Sequence, residues 1–357
     1  MKIHNFSAGP SILPQTVIQQ MANAIVEYGG TGLSILELSH RGEVIEEMIA
    51  EAHQLVRELL NLPDNYAPMF LTGGATTQFA LIPCNLLAKN GVAAYTDTGT
   101  WSTKAIDNAK HYGKVDVVAS SANEGFIRIP KGYEIPQDAS YFHVTSNNTI
   151  YGTQLKQTPD AGKVPLVIDM SSDIFSTDSF NAEDYGLIYA SAQKNLGPAG
   201  TTLVIVNQDL LGKTGREIPP MFDYRGHIKK QSALNTPPVL AIFGCLLTLR
   251  WIKQHGLAVI EKTNKAKADL IYNEIDNNPL LIGKAAKEDQ SVMNATFLLT
   301  KPELETEFLQ MATAANIVGI KGHRSVGGFR ASMYNALTLE SVEALVEVMQ
   351  AFAVRFG

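Results

Sequence analysis

The chain has 357 residues, 45% hydrophobic and 18% charged, with 35 acidic against 29 basic side chains and a net charge of −6. Such a length suits about two domains, and the composition suits packed cores rather than disorder. A net acidic balance excludes a global basic field for nucleic acid, although local cations can still hold a small anion.

Met1-Lys2-Ile3-His4-Asn5-Phe6 carries no long apolar signal core. The most apolar helix-like run, 239–249, falls well short of the ~20 residues that span a bilayer. A cytoplasmic location without a membrane partner is the expectation. Asn147 and Asn294 each head an Asn-x-Thr triplet, which has no glycosylation meaning there. Cys84 and Cys245 lie in apolar, helix-like surroundings and read as core thiols, not a disulfide framework.

In chain order, 14–28 and 43–60 place apolar residues at helical spacing, as in Val44, Met48, Ala52, Leu55 and Leu59. A short strand at 69–71 leads into Gly73-Gly74-Ala75-Thr76-Thr77 and then a helix over about 78–88. Strands follow at 92–95, 115–118, 141–144, 166–169 and 186–190, the rhythm of a wound α/β sheet. Only about ten residues separate the strand ending near Ser191 from the next at 202–206. A parallel crossover needs a dozen or more, so 202–206 should run antiparallel in a mixed sheet.

After an amphipathic helix over 257–275 come a strand at 295–299, a helix at 302–315, a strand at 329–333 and a helix at 339–356. The fold class is α/β. A large domain over 15–257 holds a mixed, mostly parallel sheet flanked by helices, and residues 1–14 with 258–357 form a smaller α/β domain.

One lysine stands out. Lys194, in Ser191-Ala192-Gln193-Lys194-Asn195-Leu196-Gly197-Pro198-Ala199-Gly200, has no charged neighbour and follows a strand. An ammonium stripped of water tends toward the free amine that a Schiff-base nucleophile requires. Upstream, Asp169 ends the apolar run Leu166-Val167-Ile168, at the strand tip where α/β sheets bind ligands. A lysine nucleophile with an acid for a pyridinium nitrogen is the minimal equipment of a pyridoxal phosphate (PLP) enzyme. By local sequence alone Lys194 reads as a solvated loop lysine first.

The Gly73 turn opens a helix, whose free amides and dipole can hold a phosphate, though it reads also as an ordinary glycine turn. Trp101 follows a strand and could stack on a flat ring or simply pack at the surface. Basic residues crowd into Lys321-Gly322-His323-Arg324-Ser325-Val326-Gly327-Gly328-Phe329-Arg330, and a second pair stands in His40-Arg41-Gly42. Arginine grips carboxylate or phosphate bidentately, so two such clusters favour an anionic substrate over surface charge. The eight histidines show no metal-ligand spacing, and no G-x-S-x-G elbow occurs.

With these residues assembled, the chain resembles the phosphoserine aminotransferase family, PLP-dependent transferases of fold type I and class V. The matching segments are Asn5-Phe6-Ser7-Ala8-Gly9-Pro10, Ser39-His40-Arg41-Gly42, the Gly73 turn, 191–200, Asn235-Thr236-Pro237-Pro238 and 322–335. The resemblance implies that Lys194 binds the cofactor covalently and then shuttles a proton, and that Asp169 pairs with the ring nitrogen. It implies that Trp101 stacks on the ring, with Thr149 and Gln193 hydrogen-bonding around it. Ala75 and Thr76 would hold the cofactor phosphate, completed by Asn235 and Thr236 of a neighbouring subunit.

Arg330 would clamp the substrate α-carboxylate. His323 and Arg324, with His40 and Arg41 from the partner, would recognise the substrate phosphate in a homodimer. Some members carry arginine where this chain has Thr76. The implied reaction transfers the amino group of glutamate to 3-phosphohydroxypyruvate, giving 2-oxoglutarate and O-phospho-L-serine. The alternative is another class-V aminotransferase for small oxo acids, which has no evident use for the four phosphate-binding residues. A cysteine desulfurase would need a reactive loop cysteine. A non-enzymatic phosphate sensor would leave Lys194 without a role.

Overall fold

The computed structural model describes residues 2–357. Helix α1 (Gln15–Val26) and helix α2 (Glu43–Leu60) lead the chain toward a seven-stranded sheet. α2 begins with Glu43 and Glu46, which suit the positive end of its dipole, and stops at Asn61 in the left-handed conformation. Its buried stripe runs through Ile45, Ile49 and Val56, while Val44 is 40% exposed. Met48, Ala52 and Leu55 are buried as expected; of that stripe only Val44 is exposed and Leu59 half-buried, and Ile45, Ile49 and Val56 widen the buried face.

The sheet strands are β1 (Tyr66–Thr72), β2 (Val92–Asp97), β3 (Lys114–Ser120), β4 (Tyr141–Thr145), β5 (Leu166–Asp169), β6 (Leu187–Ser191) and β7 (Thr201–Asn207). They lie in the order β1-β7-β6-β5-β4-β2-β3. β7 runs antiparallel to both neighbours, with Thr202 opposite Ser191, and the remaining pairs are parallel. The tight connection that carries Lys194 therefore joins antiparallel strands, as its length requires.

Both faces of β4, β5 and β6 are buried, which is why these strands read as nearly continuous apolar runs. Leu166, Ile168, Ile188 and Ala190 pack toward α2 and helix α6 (Val239–His255). Val167, Leu187, Tyr189, Tyr141 and Tyr95 face helices α3 (Ala75–Leu86) and α4 (Thr100–Ala109). Trp101 is thus the second residue of a helix. No helix among the described residues is long and apolar enough to cross a membrane.

After α5 (Tyr224–Lys229) and α6, helix α7 (Leu257–Asn277) leads to a three-stranded antiparallel sheet of β8 (Leu281–Gly283), β9 (Asn294–Leu299) and β10 (Phe329–Ser332). Helices α8 (Glu305–Ala314) and α9 (Leu339–Phe356) cover it. Its core is aromatic: Phe308 meets Phe297, Phe329 and Phe352 with ring centroids 4.7–6.0 Å apart. β8 is the strand that its three residues did not announce. Phe6 joins this core, and His4–Asn5 pair in parallel with Ile317–Val318.

Buried amides link the two sheets. Asn147 Nδ2 donates to Asn294 Oδ1 at 2.7 Å, and Asn294 Nδ2 donates to Ser332 Oγ at 2.9 Å. Gly152 lies at φ 77°, where an added Cβ would stand 2.6 Å from Thr296 Oγ1 and 2.8 Å from the Asn294 carbonyl. Gly152→Ala should therefore cost about 1–3 kcal/mol of stability. The urea midpoint reads this, and an unchanged midpoint would contradict the close approach.

Candidate active site

Strands β4, β5 and β6 end side by side at Thr145, Asp169 and Ser191, and a cleft opens beyond their carboxyl ends. Its atom-free space, including the part open to solvent, is about 480 Å³. Lys194 enters from the β6–β7 connection and is only 9% exposed. Its Nζ donates to Thr149 Oγ1 at 2.7 Å and lies 6.0 Å from the Trp101 ring centroid.

Burial pulls the Lys194 amine down to about 8, against the opposing pull of the Asp169 carboxylate; Arg330 adds to the lowering. The chain's N-terminal segment holds this loop from behind. Ser11 Oγ donates to the Lys194 carbonyl at 2.8 Å, and Gly9 lies against the lysine stem.

Asp169 is buried, and its Oδ1 accepts the Ser171 amide at 2.9 Å. Burial raises its pKa, opposed by hydrogen bonds from Ser171 and by the charge of Lys194. Ala75 and Thr76 occupy the first turn of α3 at the rim, and the Ala75 amide donates to Ser191 Oγ at 3.3 Å. Gly73 at φ 102° makes the turn possible, since a Cβ there would meet Thr77 Oγ1 at 2.8 Å. Ser191 Oγ in turn donates to Gln193 Oε1 at 2.5 Å. Two buried polar atoms near the cleft, Trp101 Nε1 and Thr145 Oγ1, have no partner.

Arg330 of β10 reaches over from the three-stranded sheet. One guanidinium nitrogen donates to the Thr149 carbonyl at 3.3 Å, and its buried Nε is unpartnered. Among the described residues no carboxylate pairs with Arg324 or Arg330. His323 feels this concentration of cations: burial, then the charges of Arg330, Arg324 and Lys104, lower its pKa. The rim is a place for an anion.

The class-V aminotransferase family model matches residues 3–345. A phosphoserine aminotransferase of Flavobacterium psychrophilum is 56% identical over 98% of this chain and 98% of its own. The solved phosphoserine aminotransferase of Bacillus circulans subsp. alkalophilus matches at 44% identity with a TM-score of 0.96, covering 100% of this chain and 99% of that one. The PLP-bound enzyme of Trichomonas vaginalis matches at 36% identity and a TM-score of 0.92, over 98% of this chain and 100% of that one. The chain belongs to the class-V aminotransferases.

A single chain of this class-V aminotransferase does not bring all the expected residues together. Lys194, Asp169, Ala75, Thr76, Trp101 and Gln193 share the cleft; Thr149 touches Lys194 and Arg330. His40 and Thr236 instead line a separate apolar groove with Pro198 and Leu240, and Arg41 is exposed. Asn235 bonds only the neighbouring Thr236 carbonyl, at 3.2 Å.

Ser171, Ser172, Asn147 and Phe79 also line the cleft, and sequence reasoning missed them. For the serines a signal existed, since they directly follow Asp169. Asn147 was visible only as a triplet set aside for other reasons.

In the cofactor-free protein, Lys194 Nζ should titrate near pH 8 by NMR of 15N-labelled lysine. Asp169→Asn should move that midpoint to lower pH, because the carboxylate favours the charged amine. A midpoint near 10 in both proteins would refute the desolvated site.

Proposed function

We propose that the chain is a phosphoserine aminotransferase, moving the amino group of glutamate to 3-phosphohydroxypyruvate to give 2-oxoglutarate and O-phospho-L-serine. The observation that carries this reading is a desolvated lysine amine lying within reach of Asp169 and beneath an arginine that no carboxylate pairs.

The cleft fits PLP on its own evidence: Trp101 Nε1 and Thr145 Oγ1 have no hydrogen-bond partner, and the N-terminus of α3 opens onto it. PLP supplies, when bound, an aldehyde for amino-group capture and a ring that accepts electrons released at the substrate Cα. Lys194 is the residue that would bind it covalently. Ala75 and Thr76 would hold its phosphate at the α3 N-terminus, with Trp101, Thr149 and Gln193 around the ring. Asp169 would hold a proton on the ring nitrogen.

The chain's own groups do the remaining work. Near pH 8 the Lys194 amine exchanges readily between its protonated and free forms, so its Nζ can take the Cα proton and return it. Arg330 orients the α-carboxylate common to both substrates. His323 and Arg324, joined by His40 and Arg41 of a second subunit, receive either the distal carboxylate or the phosphate. Asn235 and Thr236 would likewise act in trans, since neither lines the cleft of its own chain. In this arrangement the protein is a cytoplasmic homodimer. Residues 15–257 form the cofactor domain, while 1–14 and 258–357 form the domain that presents Arg330.

Arg330→Ala should lower kcat/KM in both half-reactions by 10²–10³-fold, on the order of what removing a buried charge partner costs. Separate assays with glutamate and with the phosphorylated oxo acid check this; a loss confined to the second would remove Arg330 from the α-carboxylate. Lys194→Ala should abolish turnover and leave the circular dichroism spectrum unchanged.

A further inference from the structure

Beneath Asp169, on the same face of the sheet, two buried polar rings have no place in the chemistry above. Tyr189 of β6 is the direct cross-strand partner of Asp169, and His143 of β4 lies one strand further along. Tyr189 is 0% exposed and His143 1%. His143 Nε2 and Tyr189 Oη are 2.8 Å apart. The imidazole stacks on Tyr95, with centroids 4.8 Å apart and planes at 26°. The Tyr95 hydroxyl is already engaged with Tyr141 Oη at 2.7 Å, so it does not compete for the histidine.

The charged and titratable groups around this pair are Asp169 on β5, Tyr95 on β2, Tyr141 on β4 and Tyr224 on α5, with Lys194 and Asp173 nearer the cleft. No cation stabiliser is present for an imidazolium, and burial pushes His143 down to about 3. The ring is neutral, with one N–H. Tyr189 and Asp169 are direct cross-strand partners, so the phenol stands beside that carboxyl and opposes the rise that burial imposes on it.

A phenol has one hydrogen to give, and an ionised carboxylate can only accept. An imidazole Nε2–H that donates to the phenol oxygen leaves the phenol hydrogen free for the neighbouring carboxylate.

We propose that His143 and Tyr189 are positioning residues: His143 Nε2–H donates to Tyr189 Oη, and the Tyr189 hydroxyl donates to Asp169, holding that carboxylate ionised and aimed into the cleft. This rests on the role given to Asp169 above. The relay carries no net charge, so it orients the acid without neutralising it. Tyr189 is a cross-strand neighbour in a buried row and His143 a histidine within an apolar strand. Each looks like filler until register puts them together.

The test uses the PLP-loaded protein and the variants Tyr189→Phe, His143→Leu and His143→Gln, with PLP affinity followed by absorbance across pH. Tyr189→Phe keeps the ring and should weaken PLP binding roughly tenfold. Its acid limb should move up by about one pH unit, because a carboxyl that loses a donor protonates more readily. His143→Leu should shift the same limb in the same direction, and His143→Gln, which retains an N–H, should restore it. If Tyr189→Phe lowers Tm yet leaves the limb and the affinity of the unaltered chain, the pair is only packing and the proposal fails. It fails equally if His143→Gln behaves like His143→Leu. Borohydride trapping separates this from the underlying reading: no PLP adduct on Lys194 of the unaltered chain would overturn the cofactor assignment itself.

Discussion

The site depends on keeping one amine dry. Lys194 is charged in bulk water, and only its enclosure between the two sheets and the N-terminal segment brings its pKa near neutrality. Enclosure alone would drive the amine further down. Asp169, at the end of β5, pulls it back, while Arg330 pushes it the other way. The working value balances desolvation and the Arg330 charge, which lower it, against the Asp169 and Asp173 carboxylates, which raise it.

Topology explains why the lysine can be held so tightly. A helix between β6 and β7 would have carried it several ångströms away; the antiparallel return leaves only the connection 192–200. That loop is pinned on both sides. Asn195 Oδ1 accepts the Asn335 amide at 2.9 Å, and the segment containing Asn335 also places Tyr334 Oη against the Ala8 carbonyl at 2.7 Å. Residues distant in sequence therefore share one rigid junction, and the arginine that follows from β10 inherits its position from it. Lys267 secures the same junction: it is fully buried and gives its three hydrogens to the carbonyls of Met333, Tyr334 and Leu337.

What could be read from the sequence follows from how local each signal is. Lys194 and Asp169 were visible because a single charged residue in an apolar or glycine-rich run is anomalous. The antiparallel β7 was visible because chain length alone forbids a crossover. Arg330 was visible among glycines, but its partner Thr149 became meaningful only when β10 was seen to reach the cleft. The buried stripe of α2 was legible through Met48, Ala52 and Leu55 and missed at its first residue, where Ile45 rather than Val44 is buried. Asn147 and Asn294 lie 147 residues apart, and nothing in either tripeptide predicts that their side chains meet. His143 and Tyr189 were hidden for the same reason: alternation assigns them to a buried face, and register alone decides what they touch.

The distribution of charge completes the argument. The chain is acidic overall, yet Arg324, Arg330 and Lys104 stand around His323 without a carboxylate to quench them. Such a concentration costs free energy in the empty protein, because like charges repel where solvent is partly excluded. A bound anion would offset that cost. In the role proposed for it, Asp169 would have to stay ionised in a dry setting, which calls for donors that are not themselves charged. The Ser171 amide is one such donor, and the proposed relay through Tyr189 would supply another. Arginines thus gather at the mouth, where they attract an anion, while the buried Asp169 carboxyl below them accepts from the uncharged Ser171 amide.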